Sequence, residues 1–319
     1  MKKEKIIITG AAGFIGYHLS KSLLDDDVEI LGIDNINDYY DQNLKHSRLE
    51  KLNQYNQFEF EKIDISDREG LTKVFKSFKP NKIVNLAAQA GVRYSIQNPY
   101  AYMDSNLVGF LNIIELCRHQ NVEGLIYASS SSVYGGNKKT PFSVEDRVDN
   151  PISLYAATKK ANELIANTYS HLYGLHTTGL RFFTVYGPWG RPDMAMMIFT
   201  RKILADKAIP VFNHGEMKRD FTFIDDIVSG TRAAINKNYK CEVFNLGNHK
   251  SEQLMDVVSL LEKNLGKKAE INFLPMQPGD VSETFADISK SEKMLGYKPT
   301  TSVEMGVEKF INWYKDYSV

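Results

Sequence analysis

The stretch ITGAAGFIGYHLS, residues 8–20, decides the fold. It sets Gly10, Gly13 and Gly16 in a G-x-x-G-x-x-G spacing between an apolar strand-like run and an amphipathic helical pattern. Such glycines permit a tight turn, and the N-terminus of the following helix offers N–H groups and a positive dipole end to a pyrophosphate. The spacing alone is weak, because glycine after a strand is common in loops. Its place after the first strand of the chain strengthens it.

Apolar strand-like runs alternate with amphipathic helical patterns through the first half of the chain. The runs are KIIITG, VEILGID, FEFEKIDI, KIVNLAA, GLIYASS and TTGLRFFTVYG, at residues 5–10, 28–34, 58–65, 82–88, 124–130 and 177–187. Near-continuous apolar strands in βαβα order are typical of a parallel sheet with helices on both faces. We therefore expect an α/β fold, with a doubly wound parallel-sheet Rossmann domain and a smaller α/β substrate-binding domain.

The regular alternation stops after YGPWGRP, residues 186–192, where proline and glycine cluster. We expect the Rossmann domain to cover residues 1–184 and the smaller domain to cover residues 185–319. The runs FTFIDDIVSGTRAAI and EVFNLG lie in the second half, and we expect these segments, near residues 221–248, to return to the Rossmann domain.

Composition narrows the class of protein. The 319 residues contain 39 Lys and Arg and 39 Asp and Glu, so net charge gives no reason to expect nucleic acid or an acidic membrane as a partner. No apolar run is long enough to span a bilayer, and MKKEKIIITG lacks a signal-peptide pattern. Cys117 and Cys241 are expected to be free thiols, and the seven histidines show no metal-ligand spacing. We expect a cytoplasmic protein that binds no metal.

A carboxylate at the end of the second strand selects the dinucleotide. Asp34 lies eighteen residues beyond Gly16, where it can accept hydrogen bonds from the hydroxyls of an adenosine ribose. It would repel a 2′-phosphate, and no arginine follows it immediately, so NAD is favoured over NADP. Asp64 ends a later strand and is expected to reach the adenine. A turn role at a strand end is the alternative for Asp34, and the glycine spacing makes it the weaker one.

Two features further along the chain carry reactive side chains. YAATK, residues 155–159, places Tyr155 and Lys159 one turn apart on the same face of a helix. LIYASSSSVYGG, residues 125–136, ends a strand in four serines, more hydroxyls than closing a strand requires. A lone Tyr-x-x-x-Lys is frequent by chance, and surface packing is its usual explanation. With the serine cluster and the glycine loop in the same chain, chance explains it less well.

The pair predicts that Tyr155 is a phenolate base. Bringing a phenol from a pKa of about 10 to neutrality requires roughly 4 kcal/mol. One positive charge at about 4 Å, in an effective dielectric near 20, supplies about that much. Lys159 and an oxidised nicotinamide would be two such charges. A serine hydroxyl would hold the substrate oxygen and share the proton.

The glycine loop, the serine-rich strand end and the Tyr155/Lys159 pair together resemble the extended short-chain dehydrogenase/reductase superfamily. Longer motifs over most of the chain are similar to those of UDP-glucuronate 4-epimerases, among them SSSSVYGGNKKTPFS, TTGLRFFTVYGPWGRPDMA, NHGEMKRDFTFIDDIV and PGDVSETFAD. The resemblance implies an isomerase that converts UDP-glucuronate to UDP-galacturonate. NAD takes up the C4 hydride, the 4-keto sugar turns over, and the hydride returns to its other face.

The resemblance also implies roles for individual residues. Tyr155 would be the base, Lys159 would hold the nicotinamide ribose, and Ser130 would assist the tyrosine. The implied NAD site comprises Gly10, Gly13, Phe14, Ile15, Gly16, Asp34, Asp64, Ile65, Ala87, Asn106, Tyr155 and Lys159.

A UDP-sugar site is implied in the same way. Arg219 would hold the phosphates, Phe212 would lie against the uracil, and Asp280 would bind the uridine ribose. The implied sugar contacts are Ser130, Ser131 and Ser132. Apart from the resemblance, an arginine in a basic loop and an aromatic residue in an apolar strand are ordinary surface and core residues.

Thr184, Arg191 and Arg93 are the candidates for contacting the sugar carboxylate. UDP-hexose epimerases usually have asparagine where Thr184 lies, and they lack the PWGRPD run. Arginine suits carboxylates because its guanidinium binds them in a bidentate fork. Arg191 lies between Gly190 and Pro192, and an ion pair within that loop is the alternative.

Three other functions stay open. The first is a UDP-hexose 4-epimerase acting on neutral sugars, and the second is a UDP-glucuronate decarboxylase. Related decarboxylases carry an acidic residue where this chain has Ser132, which argues for retention of the carboxylate. The third is an NAD(H)-sensing regulator on the same fold, which would be expected to lose the Tyr155/Lys159 pair.

The sequence also predicts a homodimer. The helical patterns at 100–120 and 154–173 are apolar on more faces than one sheet can cover. We expect them to pair across a two-fold axis as a four-helix interface.

Overall fold

The computed structural model describes residues 3–277 and 279–317. Its strands, numbered in chain order, are Lys5–Thr9 (β1), Glu29–Asp34 (β2), Phe58–Lys62 (β3), Lys82–Asn85 (β4), Gly124–Ser130 (β5), Thr177–Phe182 (β6), Thr184–Tyr186 (β7), Ile209–Val211 (β8), Lys218–Arg219 (β9), Phe221–Phe223 (β10), Cys241–Leu246 (β11), Glu252–Gln253 (β12), Ile271–Phe273 (β13) and Glu283–Thr284 (β14).

The α-helices are Phe14–Leu24 (α1), Gln42–Leu52 (α2), Arg68–Phe78 (α3), Tyr94–Gln97 (α4), Pro99–Tyr102 (α5), Phe110–His119 (α6), Leu154–Tyr173 (α7), Ala195–Leu204 (α8), Ile224–Lys237 (α9), Leu254–Leu265 (α10), Ser289–Leu295 (α11) and Val303–Tyr317 (α12). A π-helical segment, Met103–Gly109, joins α5 to α6, and 3₁₀ turns cover Ser131–Tyr134 and Asn213–Gly215.

The central sheet has seven strands in the order β11-β6-β5-β4-β1-β2-β3, and every neighbouring pair is parallel. The strand order reverses between β1 and β4, which is where a doubly wound sheet opens a crevice at the carboxyl ends of its strands. The expected Rossmann-type α/β fold is confirmed.

The two faces of the sheet bury alternate residues of the same strand. Ile6 and Ile8 of β1 pack in the cluster that includes Phe14 of α1, whereas Ile7 packs in the cluster that includes Phe75 of α3. This two-residue period is the geometry of a strand with helices on both faces. It explains why the first strand is apolar throughout.

Three predicted strands are shorter than their apolar runs. β3 ends at Lys62 and β4 at Asn85, because the residues that follow them line a cavity instead of extending the sheet. The run at 177–187 divides at Phe183. There the backbone leaves β11, and the N–H of Thr184 donates to the carbonyl of Asp220 at 3.0 Å.

The predicted helix at 100–120 is also divided, because its middle is π-helical. Gly109 ends that segment, and a Cβ there would lie 2.5 Å from the side chain of Ile65. The wider π turn and the small residue let the helix approach the loop after β3, and such turns are frequent at functional sites. The predicted helix at 154–173 corresponds to α7.

The second half of the chain builds three small sheets, β7 with β10, β12-β9-β14, and β8 with β13. Between them the chain returns to the large sheet, where α9 packs against α1 and β11 pairs with β6. Within the described ranges no helix has both the length and the apolar character needed to cross a bilayer.

Candidate active site

A cavity opens at the carboxyl ends of β1, β4 and β5, at the reversal of strand order. It runs from the glycine loop to the start of α7. Of the residues that the sequence predicted for the site, those that line the cavity are Gly10, Gly13, Phe14, Ile15, Gly16, Asp34, Asp64, Ile65, Ala87, Ser130, Tyr155, Lys159 and Arg191.

The glycine loop packs so closely that a side chain at Gly10 or Gly16 would clash with neighbouring backbone atoms. Gly10 has φ +72°, and a Cβ there would lie 2.8 Å from the backbone nitrogen of Ala87. A Cβ on Gly16 would lie 2.0 Å from the carbonyl of Gly10. Helix α1 begins after Gly13 with no side-chain cap, so its first N–H groups remain for a ligand in the cavity. The loop therefore fits a pyrophosphate.

Asp34 lies at the far end of the cavity and is almost fully buried. Its Oδ1 accepts a hydrogen bond from the N–H of Ile36 at 2.9 Å. Burial raises the pKa of this carboxyl, and the charge of Lys45 opposes that rise. Lys45 also lines the cavity, and its Nζ donates to the carbonyl of Asn37 at 2.9 Å.

The loops after β3 and β4 form the neighbouring wall. Asp64 accepts hydrogen bonds from the side chain of Asn35 at 2.6 Å and from the N–H of Ser66 at 2.8 Å. Burial alone would raise the pKa of Asp64, but these hydrogen bonds hold it below its ordinary value. Asn106 is not among the lining residues. It exchanges two hydrogen bonds with the backbone of Gln89, which does line the cavity, so it positions that wall from behind.

The serines at the end of β5 divide between two tasks. Ser129 donates to the carboxylate of Glu163 at 2.7 Å, which fixes β5 to α7. Ser130 lies in the cavity, and its Oγ accepts from the N–H of Ser132 at 3.2 Å and from the hydroxyl of Ser132 at 2.9 Å. Ser131 and Ser132 are in the 3₁₀ turn and not among the lining residues. The hydroxyls of Ser129 and Ser132 thus bond to other protein side chains, and Ser130 lines the cavity.

Helix α7 places Tyr155 and Lys159 in the cavity. Ser153 caps the helix by accepting from the N–H of Ala156 at 3.1 Å, which puts Tyr155 in the first turn. Lys159 is almost fully buried, and its Nζ donates to the carbonyl of Ala128 at 2.8 Å. This Nζ lies 6.0 Å from the centre of the Tyr155 ring.

The protein groups around Tyr155 do not by themselves make it acidic. Burial raises the pKa of Tyr155 above its ordinary value, and a hydrogen bond with Ser130 and the charge of Arg191 only partly oppose the rise. Burial also lowers the pKa of Lys159 to about 8. The carbonyl of Ala128 holds the Nζ of Lys159 6.0 Å from the centre of the Tyr155 ring. Lys159 alone therefore does not make the phenol acidic.

Arg191 lines the cavity and forms an ion pair within its own loop. Its Nε donates to Asp193 Oδ1 at 3.0 Å and its Nη2 donates to Oδ2 at 2.5 Å. The ion pair that the sequence left as an alternative is present, and Arg191 nevertheless faces the cavity that contains Tyr155. Thr184 is partly buried in β7 and is not among the lining residues.

A second cluster gathers residues from three distant parts of the sequence. Arg93 Nη2 donates to Asp280 Oδ2 at 3.0 Å, and its guanidinium lies 4.7 Å from the centre of the Phe212 ring. Arg219 donates to the carbonyl of Ser282 at 3.2 Å, and burial lowers the pKa of its guanidinium. The charges of Asp280 and Arg93 both act on Arg219. The four predicted substrate residues are therefore close together, outside the first cavity.

Sequence reasoning missed Arg48, a fully buried arginine on α2. It donates to the carbonyls of Ala12 at 2.8 Å, Trp189 at 2.5 Å and Gly190 at 3.3 Å, so it joins the glycine loop to the loop that carries Arg191. One signal was present. Lys45 and Arg48 occupy positions on the apolar face of α2 beside Leu44, where a surface helix would have only apolar residues.

The fold and the cavity define an extended short-chain dehydrogenase/reductase, with a glycine loop, a carboxylate at the end of β2, and a Ser–Tyr–Lys group at the carboxyl edge of the sheet. Among the described residues, no cluster of three or more His, Cys, Asp or Glu side chains is placed to hold a metal ion. The chain belongs to the family described as GDP-mannose 4,6 dehydratase, whose sequence pattern matches residues 7–310.

Individual relatives are similar over nearly the whole chain. Protein CapI of Staphylococcus aureus is 52% identical over 331 residues, which cover 98% of this chain and 99% of that protein. UDP-glucuronate 4-epimerase 4 of Arabidopsis thaliana is 49% identical, covering 98% of this chain and 75% of its own. The structure of UDP-glucuronic acid 4-epimerase from Bacillus cereus, in complex with UDP-glucuronic acid and NAD, is 37% identical with a TM-score of 0.92 and covers 98% of this chain and 99% of its own.

Proposed function

We propose that this protein is a UDP-glucuronate 4-epimerase that uses NAD and forms UDP-galacturonate. The observation that carries the proposal is that one cavity contains the Tyr155/Lys159/Ser130 group, the glycine loop and Arg191. The named relatives support it, since two of them are UDP-glucuronate 4-epimerases and one is seen with both ligands. The predicted roles of the site residues are part of this proposal.

The residues present fit NAD. Gly10, Gly13 and Gly16 leave room for a pyrophosphate at the uncapped start of α1. Asp34 would accept hydrogen bonds from the ribose hydroxyls, and Lys159 would donate to the nicotinamide ribose. When bound, NAD⁺ supplies a hydride acceptor at C4 and a positive charge near the phenol.

Tyr155 would take the proton of the C4 hydroxyl. It would later return that proton to the C4 oxygen, when the hydride has added to the opposite face of the 4-keto sugar. Because burial raises its pKa, the proton transfer depends on the hydrogen bond from Ser130 and on neighbouring positive charge, including that of Arg191. Ser130 would hold the C4 oxygen while the proton moves. Lys159 would hold its ribose partner and keep α7 against β5 through the carbonyl of Ala128.

The second cluster would bind the UDP half. Arg219 is suited to the phosphates, Phe212 and Arg93 offer an aromatic and a guanidinium surface to the base, and Asp280 is a hydrogen-bond acceptor for the ribose. With the nucleotide held there, the sugar can turn over in the first cavity. Thr184 stays a further candidate for a carboxylate contact, whereas Arg93, which the sequence also named for that contact, is proposed for the base.

Arg191 favours an acidic sugar over a neutral one. Its guanidinium faces the cavity beside Tyr155, where it can bind the C5 carboxylate. The 4-keto intermediate is a β-keto acid, which loses CO₂ when its carboxylate bond stands perpendicular to the carbonyl plane. A fixed guanidinium can hold the carboxylate near that plane. Ser132, which replaces an acidic residue of decarboxylases, adds no carboxylate to the turn after β5.

Product analysis by NMR tests the proposal. Purified protein is incubated with UDP-glucuronate and no added cofactor, because no net reductant is consumed. UDP-galacturonate without CO₂ release is the expected result. A UDP-pentose would identify a decarboxylase instead, and turnover of UDP-glucose alone would identify a neutral-sugar epimerase. Failure to convert any of these, in protein with NAD added back, would leave the NAD(H)-sensing regulator as the better account.

We also propose a homodimer formed through α6, α7 and the π-helical segment between α5 and α6. Leu111 on α6 is 45% exposed, and Leu164 on α7 is 56% exposed. Val108, in the π-helical segment, is 47% exposed. A second copy would cover these apolar side chains with its own helices. Sedimentation at micromolar concentration is expected to give a dimer, and Leu164→Glu is expected to give a monomer.

Two further assignments belong to the same proposal. We place the boundary between an NAD-binding domain and a nucleotide-sugar domain near residue 184, with β11 returning to the first, which the switch of partners at Phe183 supports. We also propose a cytoplasmic location, which the free thiols of Cys117 and Cys241 support.

A further inference from the structure

The guanidinium of Arg191 is shared with a carboxylate of its own loop. Asp193 accepts hydrogen bonds from Nε and Nη2 of Arg191, which form one edge of the guanidinium. It also accepts from the hydroxyl of Tyr39 at 3.2 Å. Among the described residues, Nη1 of Arg191 donates no hydrogen bond. Arg191 and Tyr39 line the cavity, whereas Asp193 is not among its described lining residues. The pair therefore holds one edge of the guanidinium away from the cavity and leaves the other edge for a ligand.

The loop around this pair is fixed on both sides. Arg48 binds the carbonyl of Gly190 at 3.3 Å, and Arg201 donates to the carbonyl of Pro192 at 2.8 Å. Tyr39 is confined as well, because a Cβ on Gly91 would lie 2.9 Å from its hydroxyl. Arg191 and Asp193 thus meet in an arrangement set by three separate segments of the chain. These contacts restrict the positions that the guanidinium can take.

Sharing matters because the sugar must be released once in every turnover. An unshared buried guanidinium would hold a carboxylate in a strong bidentate pair. Asp193 already offsets part of the charge of Arg191, and the charge of Arg191 in turn counteracts the effect of burial and lowers the pKa of Asp193. A sugar carboxylate at the second edge then meets a cation that is half compensated. It is oriented there without being held too tightly to turn.

Resting on the proposed function, we propose that Asp193 is a positioning residue that sets the preference between acidic and neutral sugars. It directs the free edge of Arg191 toward the sugar carboxylate and weakens the attraction enough for the 4-keto sugar to turn over. The ligand class is a UDP-hexuronate. Asp193 itself does not touch the substrate.

Direct binding separates this inference from the proposed function. The Kd of UDP-glucuronate and of UDP-glucose is measured by calorimetry for the wild type, Asp193→Asn and Asp193→Glu, each with NAD. In Asp193→Asn the negative charge is removed, and the Kd of UDP-glucuronate is expected to fall about tenfold. The Kd of UDP-glucose is expected to stay within about twofold of the wild-type value. Asp193→Glu keeps the charge and is expected to keep the wild-type ratio. If Asp193→Asn does not fold, Asp193→Ala tests the same charge.

Kinetics give the second measurement. With UDP-glucuronate, Asp193→Asn is expected to lower KM and kcat together, because the sugar binds better and turns more slowly. A purely structural role would instead raise KM, or would weaken both UDP-sugars equally, and either result would overturn the inference. Wild-type protein that binds UDP-glucuronate but does not epimerise it would refute the proposed function. The ratio of Kd values would still decide the role of Asp193.

Discussion

Two buried cations lie near the junction of α7 and β5, and their surroundings differ. Arg181, on β6, donates to both carboxylate oxygens of Glu163, at 2.8 and 2.9 Å. Lys159 is as deeply buried, and its hydrogen bond is to the carbonyl of Ala128. Pairing with Glu163 outweighs burial and raises the pKa of Arg181, whereas burial lowers the pKa of Lys159 to about 8. One cation is compensated and the other is not.

The difference distinguishes a buried cation that stabilises the fold from one that is kept for a ligand. A buried ion pair with good geometry holds its elements in place, and breaking it leaves an uncompensated charge. An uncompensated lysine costs stability and is kept only where its charge or its donors are needed by a ligand. Glu163 and Arg181 fix α7 to the sheet, and Lys159 uses that fixed position to face the cavity.

Lys159→Met is expected to lower activity strongly and to raise stability. Loss of the ribose donor and of the charge near Tyr155 should lower kcat about 10³-fold. The free energy of unfolding should rise by about 1–3 kcal/mol at pH 7, because a buried charge is removed. The folded pKa of Lys159 is below its unfolded value, so this cost is full below about pH 8 and disappears as pH rises toward about 10. Turnover assays and denaturant unfolding at pH 7 and pH 9.5 check both signs.

A destabilised Lys159→Met protein would show that the lysine is structural and would end the distinction between the two cations. Lys160→Met is the matched control. Lys160 is the next residue of α7 and is only partly buried, 3.5 Å from Glu163. We expect it to change stability by less than about 1 kcal/mol.

Glu163→Gln is expected to have the largest effect on stability. It leaves Arg181 buried without its carboxylate, which should cost about 3–5 kcal/mol of unfolding free energy. Although burial raises the pKa of Glu163, Arg181 holds it below its ordinary value, so the contribution of the pair is full at neutral pH and is lost only as pH falls below about 4. The difference in stability between wild type and variant should therefore shrink in acid. An equal difference at pH 7 and pH 3.5 would contradict the ion-pair explanation.

Ser129→Ala is expected to have the smallest effect. It removes the 2.7 Å hydrogen bond to Glu163 but leaves the pair with Arg181 intact, at a cost of about 1 kcal/mol. Ser130 follows it at the strand end, so a small shift there should also lower kcat by a few fold with KM unchanged. Ser170→Ala is the control, because Ser170 is a buried serine of α7 that donates to the carbonyl of Lys240 at 2.9 Å and is not among the lining residues. Equal losses of kcat in the two variants would show that the position of Ser129 is not special.

The residues that the sequence predicted for the cofactor line the first cavity, with the exception of Asn106. Gly10, Asp34, Tyr155 and Lys159 belong to short motifs in which spacing along one strand or helix fixes spacing in space. Local geometry is enough for such predictions. The same holds for the parallel sheet, since apolar strands alternating with helices allow few arrangements.

The remainder of the site depends on contacts between distant segments. Arg48 reaches Trp189 across 141 positions, and Arg93 reaches Asp280 across 187. No local pattern encodes these distances, so Arg48, Tyr39 and Asp193 were not predicted. The acidity of Tyr155 stays a prediction, because it also depends on the charge of a bound nicotinamide. Charge spacing along α7 was visible in the sequence, but the burial that opposes it was not.

The central claim is that Tyr155 moves the C4 proton in a reaction that consumes no reductant. The most direct test compares wild type and Tyr155→Phe with UDP-glucuronate by NMR, in protein shown to bind UDP-glucuronate with the same Kd. We expect conversion to UDP-galacturonate by the wild type and a rate about 10³-fold lower in the variant, with unchanged binding. A Tyr155→Phe protein that forms UDP-galacturonate at the wild-type rate would contradict the account.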